Sequence, residues 1–154
     1  MSQSSVTSTA ALESILDSSR VLVDPAALAT YAIDGLLPVT VAKPASAEEA
    51  AEVIRFAAKE KLSVVPAGAR TKISIGARPT RYDIALDMCA LNQIAHYDPA
   101  DLTVSADAGM PVAKLNAALY ERRQFPVSYT HLDVYKRQGR TYPARCRNGS
   151  VAHQ

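Results

Sequence analysis

VTVAKPASAEEAAEVIRFAAKEKLSVVP, residues 39–66, decides the fold class. Its first three residues are β-prone, and Lys43-Pro44 closes that run. Ser46 then opens a helix. Its hydroxyl can accept from a free N–H of the first turn while Glu49 reaches back, a capping box in which the serine contributes about 1 kcal/mol. Ala50, Val53, Ile54, Ala57 and Ala58 fall on one apolar stripe, with Glu52, Arg55, Lys59 and Glu60 facing outward. Leu62 to Val65 is a second short apolar run, ended by Pro66. Strand, helix and strand within about 30 residues predict a parallel pair joined by a right-handed crossover.

On the N-terminal side, residues 1–8 are Ser/Thr-rich and expected to fray. Leu12, Ile15 and Leu16 give Ala10 to Ser19 a helical spacing, which the β-prone Val21–Val23 and Asp24-Pro25 end. A second short helix is expected through Leu28 and Tyr31, and Asp34-Gly35 reads as a turn. On the C-terminal side, Ala67 to Thr80 is a polar loop and DIALDM, residues 83–88, a third strand. Ile94 to Asp98 and Leu102 to Ala108 read as strands flanking the Pro99-Ala100-Asp101 turn. Pro111 suits the first turn of a last helix, whose apolar face would be Val112, Leu115 and Leu119. Arg122 and Arg123 complement that helix's C-terminal dipole. The fold class is α+β: a small parallel βαβ layer, then mostly antiparallel strands and a helix.

The chain's 154 residues suit one domain, with 48% apolar residues favouring a globular one. No apolar run reaches the roughly 20 residues that cross a bilayer, and the N-terminus lacks a secretory pattern. The net charge of +2 is unevenly spread. Residues 1–126 carry 12 basic and 14 acidic side chains, and residues 127–154 carry five basic and one acidic. Nucleic-acid binding would have to rest on the tail alone and is not expected. Cys89, Cys146, His96, His131 and His153 form no metal-ligand pattern, so no metal is expected. Cys89 reads as a small core residue at a strand end. His96, alone on a strand, reads as structural or exposed. Asp83, Asp87 and Asp98 read as strand-end and turn residues rather than as a carboxylate pair.

After Pro126 neither the helical nor the strand period persists. VSYTHLDVYKRQ, residues 127–138, resembles a translated sequencing adaptor. The native reading frame is therefore expected to be lost near Val127. This divides the chain into a helical lead-in (1–38), a partial domain (39–126) and a non-native or disordered tail (127–154).

The chemistry concentrates in PAGARTKISIG, residues 66–76, directly after a strand. A diphosphate needs converging backbone N–H groups and a chain that approaches without Cβ clashes. Gly68 and Gly76 fit that role, while Arg70, Thr71, Lys72 and Ser74 add donors. The spacing matches neither the Rossmann nor the P-loop pattern. On spacing alone it also reads as a solvated loop with two turn glycines.

Three segments carry a family resemblance. They are Val39-x-Val41-x-Lys43-Pro44-x-Ser46-x-x-Glu49, then Val65-Pro66-x-Gly68-x-x-Thr71-Lys72-x-x-x-Gly76, then the long stretch from Leu86-Asp87-Met88 through Leu91-Asn92, Tyr97-Asp98-Pro99 and Asp101-Leu102-Thr103-Val104 to Ala108-Gly109. Together they resemble the FAD-linked oxidases of the vanillyl-alcohol oxidase type, with a PCMH-type FAD-binding domain, and most of all the FAD-binding subunit of glycolate oxidases. The resemblance implies the N-terminal part of such a domain, with Pro66, Ala67, Gly68, Ala69, Arg70, Thr71, Lys72 and Gly76 along the FAD pyrophosphate, and Ala108 and Gly109 near the flavin. Ala67 stands where the family favours Arg, and Ala69 and Arg70 stand where it favours Gly. A weaker or reshaped cradle is expected, with the Arg70 charge offsetting the loss. Some relatives attach FAD through a His or Cys, often a His in this loop. Residues 66–76 contain neither, so non-covalent FAD is expected.

The resemblance further implies a flavin-dependent oxidoreductase acting on a small, glycolate-like 2-hydroxy acid. Other oxidase subunits would be partners, and the location cytoplasmic or peripheral at the inner membrane through them. The family's second FAD loop and substrate domain have no counterpart here, so no catalytic residue is assigned. The alternative is a truncated or accessory FAD-binding subunit without activity of its own. Unpaired strand edges and marginal stability are expected, and no yellow colour on purification.

Overall fold

The third strand expected from DIALDM lies at the centre of the main sheet. The computed structural model describes residues 3–126; the adaptor-like segment, Cys146, His131 and His153 lie outside them. β1 (Val21–Leu22), β2 (Thr40–Ala42), β4 (Ile84–Asp87) and β3 (Val64–Ala67) form a four-stranded sheet in that spatial order. β4 runs parallel to both β2 and β3, and β1 is antiparallel to β2. The expected βαβ unit is therefore present with one change: β2 and β3 are not neighbours, because β4 is inserted between them. Every residue of β4 is buried, as befits a parallel strand covered on both faces. Pro66 is tolerated within β3 because that strand is a sheet edge.

The two-residue period of the strands sorts their side chains onto two faces. Ala42, Ile84 and Leu86 pack with Leu12, Leu16, Val21, Val53 and Ala57. Val41, Ala67 and Ala85 pack instead with Tyr31, Ile33 and Tyr82. The first cluster is built by α1 (Gln3–Ile15) and α3 (Ala47–Lys59). α1 begins at Gln3, within the stretch expected to fray, and its Leu12, with Leu16 just beyond its end, is buried in the core.

α3 starts as expected. Ser46 Oγ accepts from the Glu49 N–H at 3.2 Å, and Glu49 Oε2 accepts from the Ala45 N–H at 2.7 Å. The Glu49 carboxylate also pairs with both Arg20 terminal nitrogens, tying the Ser18–Arg20 turn to the helix. Hydrogen bonding by Arg20 holds the Glu49 carboxyl below its usual range. α3 ends with Lys61 in the left-handed region (φ 54°), Leu62 N–H donating to Ala57 and Lys61 N–H to Ala58. That is a Schellman ending with Lys in the position glycine favours. The buried stripe is narrower than predicted: Ala50, Val53 and Ala57 are buried, but Ile54 and Ala58 face outward.

α2 (Pro25–Ala29) is capped by Asp24 and delivers Tyr31 to the second core cluster. Asp34-Gly35 forms the expected turn, bridging Ile33 and Leu36. Downstream, β5 (Ile94–Asp98) and β6 (Thr103–Ala106) form the expected antiparallel hairpin as a separate two-stranded sheet. α4 (Val112–Tyr120) follows, with Pro111 at its N-cap. Its predicted apolar face is only partly covered: Leu119 is buried, whereas Val112 is 63% exposed. Among the described residues no helix is long and apolar enough to cross a membrane.

Candidate functional site

The loop after β3 surrounds a cavity of about 270 Å³, lined by Pro66, Ala67, Gly68, Ala69, Arg70, Thr71, Lys72 and Ile73. This is slightly below the roughly 300–1,000 Å³ of whole-ligand pockets, enough for one portion of a dinucleotide. The cavity follows the carboxyl end of parallel strands, where open α/β sheets place their ligands. Among the described residues, none of the backbone N–H groups of Gly68, Ala69, Arg70, Thr71 and Lys72 donates to another residue. Five consecutive donors are thus available to an outside acceptor. Thr71 and Lys72 are exposed beside them.

The glycines separate into two kinds. A Cβ added at Gly68 or Gly76 would meet nothing within 4 Å, and neither residue has a positive φ. The chain's own packing requires glycine at neither position, and at Gly68, which lines the cavity, the open space suits close approach by a ligand. Gly109 differs. Its Cβ would lie 1.8 Å from the Met88 carbonyl oxygen and 2.8 Å from that of Leu91. Backbone packing alone accounts for it. Gly76 is not among the residues lining the cavity, and Ala108 is exposed.

Met88 nevertheless connects the two predicted groups. Its N–H donates to the Ala67 carbonyl at 2.8 Å, and its own carbonyl sits against Gly109. The 66–73 loop and the 108–109 turn therefore lie at the same carboxyl edge of β3 and β4.

Arg70 occupies the left-handed region (φ 60°), at one of the positions where the family resemblance favours glycine. A residue with a Cβ is about 1–2 kcal/mol less stable in this conformation. Its side chain offsets the strain: the guanidinium carbon stands 4.5 Å over the Tyr31 ring, and Nη1 is 3.6 Å from Asp87 Oδ2. The Arg70 charge, expected to offset the replaced glycines, is thus partly met by a carboxylate.

Asp87 is the strand-end residue the sequence reading expected, but its burial and its partners were not foreseen. It ends β4 and is only 3% exposed. Strand alternation places it on the face of Ala85, toward Tyr31, whose hydroxyl donates to Oδ2. The Cys89 N–H donates to Oδ1 at 2.9 Å. Burial pushes the Asp87 carboxyl up, but the Tyr31 and Cys89 donors and the Lys43 charge outweigh it, leaving it below its usual value. Burial and the same hydrogen bond push the Tyr31 hydroxyl up, so it stays neutral. A signal existed in the sequence: an acidic residue in an apolar strand needs a partner.

The other candidates are simpler. Asp83 accepts from Ser63, and Asp98 caps the hairpin turn through the Ala100 and Asp101 N–H groups. His96 is exposed, and Cys89 is half-buried just beyond β4. Among the described residues no cluster of His, Cys, Asp and Glu could hold a metal.

Residues 38–134 match a family described as "FAD binding domain". A D-2-hydroxyglutarate dehydrogenase of Xanthomonas citri pv. viticola is 32% identical over 124 residues, covering 77% of this chain and 26% of the relative. A putative mitochondrial D-lactate dehydrogenase of Schizosaccharomyces pombe is 26% identical, covering 71% and 22% respectively. The chain thus spans about a quarter of the length of these relatives. In fold it is similar to p-cresol methylhydroxylase, with a TM-score of 0.67 at 16% identity over 79% of this chain and 26% of that one.

Proposed function

The chain belongs to the FAD binding domain family, and on that premise we propose that residues 66–73 hold the diphosphate of FAD in a flavoprotein that oxidises a small 2-hydroxy acid. FAD is the cofactor of this domain. The observation that carries the reading is a run of five N–H groups that donate to nothing among the described residues, around a cavity into which Gly68 intrudes no side chain. Such a loop gives an anion charge-compatible donors at no cost in rearrangement. Thr71 and Lys72 are assigned as further diphosphate donors, and Ala108 and Gly109 as the turn nearest the flavin. Attachment is non-covalent, since the loop has no His or Cys.

When bound, the flavin supplies the hydride-accepting chemistry, and the protein contributes binding and orientation. The substrate class is a 2-hydroxy acid, supported by the names of the relatives. Within that class, glycolate is the small member suggested by the resemblance and D-2-hydroxyglutarate the one named by a relative. Other oxidase subunits are assigned as partners of the whole protein. The partial FAD-binding domain is taken to run from residue 39 to 126, although the family match extends to residue 134, with 127–154 a non-native tail. Resequencing the source DNA tests that boundary: an uninterrupted frame through Gln154 in independent reads would refute it.

Calorimetric titration of the full chain with FAD, ADP and riboflavin tests the site. FAD and ADP should bind and compete, while riboflavin, lacking a diphosphate, should not bind measurably. Affinity is expected to be modest, and the protein is expected to purify without colour. Riboflavin binding as tight as FAD would contradict the assignment.

A further inference from the structure

Three distant parts of the chain meet at Arg70. Tyr31 follows α2, Asp87 ends β4, and Arg70 lies in the cavity wall with its side chain 32% exposed. Tyr31 and Asp87 are each 3% exposed and joined by a hydrogen bond. The guanidinium lies over the ring face and within ion-pair distance of the carboxylate, yet among the described residues it makes no hydrogen bond. This combination has a specific consequence. Stacking engages the face of the guanidinium plane and leaves its edge, where all five N–H donors lie, unspent. The nearby carboxylate fixes the group by charge at 3.6 Å without consuming a donor.

We infer that Tyr31 and Asp87 are positioning residues that hold the Arg70 guanidinium, and through it the loop, ready to receive a diphosphate oxygen. Arg70 thereby supplies by directed charge what glycine at its position would supply by close backbone approach. The same contacts hold its backbone in the left-handed region that a side chain disfavours. Tyr31 and Asp87 themselves touch no ligand. The inference rests on the proposed diphosphate reading for what the loop receives, while the clasp itself concerns the free protein.

A double-mutant cycle on the full chain tests it, with ADP as the probe and 15N relaxation of the ligand-free loop as a second readout. Arg70→Gly should weaken ADP binding about ten- to a hundredfold, the scale of a charge-assisted hydrogen bond. Tyr31→Leu should weaken it comparably in the parent chain and by less than about twofold in the Arg70→Gly background, since contacting residues couple. Tyr31→Phe, which keeps the ring, should retain most of the affinity. Without ligand, Tyr31→Leu and Asp87→Asn should each lower backbone order at Gly68–Ile73 while leaving α3 unchanged. Equal losses from Tyr31→Leu in both backgrounds, or an unchanged loop in Asp87→Asn, would overturn the clasp. Should Tyr31→Leu fail to fold, Asp87→Asn and Tyr31→Phe decide the matter. If the parent chain binds neither ADP nor FAD while the loop loosens as described, the clasp stands and the proposed cofactor site falls.

Discussion

Gly68 and Gly109 are both glycines in predicted cofactor positions, and the structure demands opposite behaviour from them. In Gly109→Ala the new Cβ would start 1.8 Å from the Met88 oxygen, 2.5 Å from the Met88 carbonyl carbon and 2.8 Å from the Leu91 oxygen. All three are backbone atoms, so no rotamer change relieves the overlap. Met88 O would have to retreat by 1.2 Å merely to reach 3.0 Å. That oxygen accepts from Leu91 at 2.9 Å, the Met88 N–H is bonded to Ala67, and Gly109 N–H is bonded to Leu91. Overpacking contributes about 1–3 kcal/mol and each weakened hydrogen bond about 1 kcal/mol. A loss of about 3–5 kcal/mol follows, a large part of a domain's typical 5–15 kcal/mol. In Gly68→Ala nothing lies within 4 Å of the new methyl group. Stability should hold or rise by up to about 1 kcal/mol through the unfolded state, while ADP affinity falls as the methyl group enters the ligand's space. Thermal and urea unfolding followed by circular dichroism measure both. Gly109→Ala should melt at least about 10 °C lower. A Gly109→Ala protein with the parent's midpoint, or a Gly68→Ala protein that unfolds early and binds ADP normally, would overturn these two assignments.

Other expectations follow from the same contacts. Ser46→Ala should destabilise the protein by about 1 kcal/mol in urea titration through loss of the α3 cap. Leu12→Ala, at a completely buried position, should cost about 2–5 kcal/mol and show that α1 is integral to the core. The Asp87 carboxyl titrates lower in the folded than in the unfolded chain, so the unfolded state binds more protons in acid. Its contribution is therefore complete above about pH 4, the unfolded value, and is lost as pH falls through the folded one. Asp87→Asn should be less stable at neutral pH and show a shallower acid loss, with the Glu49 share of that loss remaining.

Much of the fold was legible because its signals are local. Ser46, Glu49 and the spacing of Ala50, Val53 and Ala57 define α3 without reference to the rest of the chain, and Pro99-Ala100-Asp101 defines the hairpin. The insertion of β4 between β2 and β3 was not legible, since parallel neighbours are chosen by packing of both faces rather than by adjacency in sequence. Ile54 fits the helical stripe yet faces outward, because the core cluster covers a narrower arc than the pattern. Val112 fits the α4 stripe and is exposed for the same kind of reason: nothing among the described residues covers it.

The loop chemistry was visible in PAGARTKISIG, but the state of Arg70 was not. Its partners Tyr31 and Asp87 lie 39 and 17 residues away in sequence. Only the sheet's alternation brings Asp87 to the Tyr31 face. Gly109 illustrates the converse: a glycine matching a family segment is fully explained by the Met88 backbone against it.

In the proposed site the N–H groups of the 68–72 segment receive the diphosphate of FAD. An 15N–1H correlation spectrum of the full chain titrated with FAD tests it most directly. The amide signals of Gly68, Ala69, Arg70, Thr71 and Lys72 should move together and saturate, as donors acquiring a common acceptor do, and ADP should reproduce the shifts. Saturating shifts confined to other residues, with these five amides unmoved, would contradict it.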